Sequence, residues 1–187
     1  MTDTTLTHHH PTIAERMHVP RSRGALTGFL LVLLGIWGAL VPFLGPVFGY
    51  AFTPDDAWHY TTGRLFLEIL PGAATAFGGL VLLGTANRPT AHLGAWLATL
   101  AGLWFVVGQP LSALTNDGVP RAGHPAASSV TGVVAEQIGF FYGLGAVIIL
   151  VAAYALGRMS VVGYRDVAVY DEVPRDENAA HRADRAD

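Results

Sequence analysis

Two glutamates stand where carboxylates are seldom found. Glu68 and Glu136 each lie within an apolar run of helical length. A carboxyl group withdrawn from water can hold a proton, pair with a cation or face a water-filled path. They are the candidate functional acids of the chain. Arg64 precedes Glu68 by one helical turn, so an ion pair near the membrane boundary is the competing structural account. Asp55, Asp56 and His59 make a second group, and His59 and His124 together with the two glutamates would be the acid-base set of a membrane-surface enzyme. No catalytic motif joins them, so no residue is assigned a catalytic role. His8, His9 and His10 offer three imidazoles without carboxylate or thiolate support, short of the usual ligand set for a metal. No metal and no cofactor is expected.

The rest of the chain is poor in charge. Of 187 residues 51% are hydrophobic and 13% charged, about half the charged share of an ordinary soluble domain, which makes the lipid bilayer the expected surroundings. There is no cysteine, so disulfides and thiol chemistry are excluded. All eleven basic residues are arginine, which fits codon bias in a GC-rich bacterial genome. A net charge of -3 gives no footprint for nucleic acid.

Four apolar segments must position the acids. A membrane-crossing helix needs about 20 apolar residues, and suitable stretches run over residues 25–50, 64–84, 91–109 and 131–156. Pro42 and the Gly45-Pro46 pair are expected to end or bend the first. Thr53-Pro54-Asp55-Asp56 has the makings of a helix start: a capping hydroxyl, a proline and two first-turn acids. Capping therefore accounts for both aspartates without a site. The aromatic residues between Phe43 and Tyr60 are expected to lie along the membrane boundary, and the polar stretch 111–129 reads as a mobile loop. Pro71 is expected to free a backbone carbonyl for a ligand or water.

Small residues recur at helical spacing: Gly72 and Gly79 in line with Glu68, then Gly94, Ala98 and Gly102, then Gly139 and Gly143 on the face of Glu136. Such stripes let helices approach closely. Arginines flank the first and fourth spans and occupy the central turn, so both termini are expected in the cytoplasm, with the long loops outside. The expected layout is a cytoplasmic arm over 1–24, a two-helix unit over 25–84, a second over 85–157, and a largely disordered cytoplasmic tail over 158–187.

The two units read as a repeat. Gly35 and Trp37 return as Gly102 and Trp104, and Pro42 and Glu68 return, one residue further on, as Pro110 and Glu136. Units of two spans each are related in parallel, which would put both glutamates at one depth. Leu34-Gly35-Ile36-Trp37 followed by Val41-Pro42-Phe43 resembles the SPW repeat of small bacterial membrane proteins, with Val41 and Phe43 in place of the motif's serine and tryptophan. Gln109-Pro110-Leu111 stands in the second copy. The resemblance implies a membrane location and no defined reaction.

The fold class expected is therefore an all-α, multi-pass protein of the bacterial plasma membrane, with four transmembrane helices built from two parallel repeats. Function reads first as a structural or accessory bundle that associates with itself or with a larger membrane complex. A small proton-linked transporter or channel using Glu68 and Glu136 is the alternative, and an outer-face enzyme the third.

Overall fold

The computed structural model describes residues 22–53, 56–112, 114 and 123–160. It is built of helices. We label the four long ones α1 (Ser22–Leu44), α2 (Thr62–Gly84), α3 (Arg88–Ser112) and α4 (Val130–Ser160). All four are long and apolar enough to cross a membrane, which makes this a multi-pass membrane protein. Large apolar side chains such as Phe77, Leu93, Leu100 and Leu150 point outward, as lipid contact demands and water would not tolerate. The N-terminal arm with its three histidines, the tail beyond Ser160, and residues 115–122 of the second loop lie outside the described residues.

Helix order in space follows from where glycine removes the side chain. A Cβ at Gly28 would fall 2.8 Å from Gly79 O, and one at Gly35 2.6 Å from Gly72 O, so α1 and α2 run antiparallel with their backbones touching. Gly78 and Gly94 do the same for α2 and α3, each lacking room for a Cβ against the other's carbonyl, at 2.5 and 2.8 Å. Gly102 and Gly145 join α3 to α4, a Cβ on Gly145 coming within 2.6 Å of Gly102 O. Gly38 closes the ring, facing Phe105 of α3 and Leu144 of α4. Ala98 is wholly buried beside Gly78. Gly72, Gly79, Gly94, Ala98 and Gly102 are thus spent inside one bundle.

Several local expectations change. Pro42 does not end its helix, which stops two residues later at the Gly45-Pro46 pair, and α3 likewise runs through Pro110 to Ser112. A proline in the last turn removes one hydrogen bond where few follow. The chain leaves α1 through a 3-10 turn, Gly45–Phe48, that has Pro46 as its second residue and closes on Gly49 at φ 69. Neither Thr53 nor Asp56 is helical, and Pro54 and Asp55 of the expected helix start lie outside the described residues. Trp58 has φ 60, which no helical turn accommodates, and the Thr53 hydroxyl accepts instead from His124 N–H at 2.9 Å. The helix starts at Thr62, where the Thr61 hydroxyl accepts from Arg64 N–H at 3.1 Å.

Gly139 and Gly143 are not a helix-packing stripe. A Cβ at Gly143 would meet Ile138 of its own helix, and one at Gly139 would collide with the Tyr50 hydroxyl. The cause is a π turn, Ile138–Tyr142, inside α4, which breaks the 3.6-residue phase that such a stripe requires. A second π turn, Leu65–Ile69, lies in α2 and contains Glu68.

Candidate functional site

Each π turn has a local cause, and each is held by a side chain from elsewhere. In α2, Leu70 N–H reaches back five residues to Leu65 O, and Pro71 has no N–H to give. Phe66 O thereby loses both its α-register and its π-register donor. Trp104 Nε1 donates to it at 2.8 Å from α3. The carbonyl freed beside Pro71 is therefore taken by protein, not by ligand or water. In α4, the Tyr50 hydroxyl enters the helical ladder, donating to Ala135 O at 2.8 Å and receiving the Gly139 N–H. An inserted side chain is a recognised cause of a break in the i to i+4 pattern. Burial, and then the nearby Glu136, push the Tyr50 phenol above its ordinary range, while the Gly139 N–H draws it down. Only glycine at 139 leaves room for that hydroxyl.

Glu136, two residues before its π turn, is buried and fully engaged. One carboxylate oxygen accepts from Ala51 N–H at 3.3 Å and the other from Ala127 N–H at 3.1 Å. Ala51 belongs to the first long loop and Ala127 to the second, so one side chain ties both loops to the head of α4. The loops also pair directly. Thr53 N–H donates to His124 O at 2.8 Å and Ala126 N–H to Ala51 O at 2.9 Å, around an antiparallel bridge between Phe52 and Pro125. Beneath them Tyr50 stacks on Phe140, while Phe52 lies tilted against Phe140 and meets Phe141 edge-on. The aromatic loop is thus divided: Phe48, Trp58 and Tyr60 are exposed, whereas Phe52 is core.

Glu68 is the opposite of Glu136. Its side chain is 0% exposed, and among the described residues neither carboxyl oxygen has a hydrogen-bond partner. Arg64, itself buried, acts on it electrostatically, yet the guanidinium reaches toward the first loop. Its Nη1 donates to His59 O at 2.5 Å and Asp56 O at 3.4 Å, and its Nη2 to Phe52 O at 3.3 Å. Arg64 anchors that loop much as Glu136 anchors both.

The two acids are each the seventh residue of their helix, but Glu68 lies inside the π turn of α2 and Glu136 two residues before that of α4. The landmark tryptophans diverge too: Trp104 is bonded to α2, while Trp37 stays about half exposed on α1. Among the described residues no group of three His, Cys, Asp or Glu is arranged to hold a metal. No protein-family model, curated protein or solved structure matches the chain.

Sequence reasoning missed Gly35, Gly78 and Gly145 as contact points and Tyr50 and Arg64 as anchors. Gly35 was visible as a repeat landmark. The roles of Tyr50 and Arg64 depend on partners brought in by the fold, which no local spacing announces.

Proposed function

We propose that this chain is a structural or accessory membrane bundle that associates with itself or with a larger membrane complex, and that it is not a carrier of solutes. One observation carries the reading. The loop end of the bundle is locked shut by Glu136, whose two oxygens both serve backbone donors from the long loops. A transport mechanism that shuttles protons between Glu68 and Glu136 would need the second acid free, and it is occupied. The outward faces are large and apolar, suited to lipid or to another apolar helix.

Both termini are placed in the cytoplasm and the host membrane is taken as the bacterial plasma membrane, on arginine distribution alone. Two parallel repeats are supported by the matched use of Gly35 and Gly102, each touching a glycine of the following helix. The likeness to the SPW repeat belongs to the same reading, with Trp37-Pro42 and Trp104-Pro110 as its paired landmarks.

Proteoliposomes test the reading against transport. Vesicles containing the protein are expected to hold an imposed proton gradient as long as protein-free vesicles do, read with an entrapped pH-sensitive dye. A gradient that collapses in the wild type and is retained with Glu68→Gln would overturn it.

A further inference from the structure

We propose that Glu68 is a proton-binding site in the bundle interior, its side chain holding a proton as a neutral carboxylic acid and not serving as half of an ion pair. Such a site is independent of the accessory role: a bundle can hold a proton without conducting one.

The two acids differ in the donors they meet. Both are buried in the same bundle, one on each π-containing helix. Glu136 meets two backbone N–H donors, and a carboxylate is stabilised by such donors. Glu68 meets none. An ionised carboxyl without donors in an apolar interior is the costliest arrangement a side chain can adopt, and taking up a proton removes the charge.

Of the surrounding charges Arg64 favours the ionised form, but it makes no hydrogen bond to Glu68. Arg64, on the same helix, directs Nη1 and Nη2 to the carbonyls of Phe52, Asp56 and His59. Asp56 and His59 themselves lie in that loop, and Glu136 on α4 serves the loop backbones. From Gly24 to Phe48 the α1 segment has no ionisable residue, and α3 has none between His92 and Ser112. A metal cation is not the ligand, since a hard cation draws on about six oxygens and a single carboxyl beside a guanidinium supplies no such set.

Glu68 lies inside the π turn of α2. Pro71 and the Trp104 to Phe66 bond fix the turn in which Glu68 sits, so Trp104 acts as a positioning residue for it.

Infrared spectroscopy of the full chain in nanodiscs of ether-linked lipid at neutral pH reads the protonation directly, because a neutral carboxylic acid has a carbonyl stretch that a carboxylate lacks and such lipid has no ester carbonyl to mask it. The band is expected in the wild type, to persist in Glu136→Gln, and to vanish in Glu68→Gln, which keeps the shape of the neutral acid. Absence of the band in the wild type, or its survival in Glu68→Gln, overturns the proposal. Should Glu68→Gln fail to fold, the wild type alone decides through a lipid-soluble carbodiimide. The acid gives its proton to one reagent nitrogen, its oxygen bonds the central carbon, and the acyl group then migrates from oxygen to nitrogen with nothing lost. Peptide mapping is expected to find the whole reagent added at Glu68; a peptide carrying Glu68 without the adduct overturns the assignment.

Discussion

Glu136→Ala is expected to destabilise the folded protein by about 3 kcal/mol, because two donors lose their only acceptor at once and stranding a buried N–H costs about 1–3 kcal/mol. Ala51 N–H is buried and Ala127 N–H partly so, and water can repay only the second. The loss should be accompanied by opening of the loop end. The Phe52–Pro125 bridge and its flanking bonds would remain, but they would be held to α4 through Tyr50 and the Phe52 ring contacts without the carboxylate that serves both loops. Equilibrium unfolding in micelles measures the first effect, and limited proteolysis around residues 51–53 and 123–127 the second. Glu136→Gln keeps one acceptor oxygen and should lose about half as much. Glu68→Gln should be close to neutral, since no donor depends on Glu68. Equal losses at the two glutamates would show that their roles are not divided as described.

Gly35→Ala is expected to cost as much as a far larger substitution would elsewhere. The new Cβ would run into the Ala76 backbone nitrogen, 2.6 Å from Gly72 O and 2.8 Å from Ala76 Cα. These are backbone atoms, which cannot rotate aside, so α1 and α2 must separate along their crossing. Overpacking usually costs about 1–3 kcal/mol, and this site belongs at or beyond the upper end. Gly157→Ala is the control. Nothing lies within 4 Å of its Cβ position, and replacing a helical glycine there should stabilise by up to about 1 kcal/mol. Thermal unfolding of the two variants should therefore move in opposite directions. If Gly35→Ala unfolds like the wild type, the close α1–α2 crossing is not present in the membrane.

The helices were legible in the sequence because lipid imposes length and apolarity, and both are local properties. The interior was less so. Glu68 and Glu136 look equivalent in sequence, each 26 residues after a proline, yet Glu136 is defined by Ala51, 85 residues away, and Glu68 by having no such donor. Periodicity at 3.6 residues cannot register a π turn, so Gly139 and Gly143 read as a stripe while Gly145 went unmarked. Pro71 did announce a disturbed turn, but which group would take the freed carbonyl depended on α3 bringing Trp104 alongside. Tyr50 and Phe52 read as boundary aromatics by composition; only the folded loop shows them turned inward onto Phe140.

Association with itself or with a membrane partner is the role proposed for the bundle. Native mass spectrometry of the protein ejected directly from its own membrane vesicles measures this without detergent exchange. An accessory bundle is expected to appear as a homo-oligomer or as a defined complex with another membrane protein, and a monomer carrying only lipid under the same conditions would contradict it.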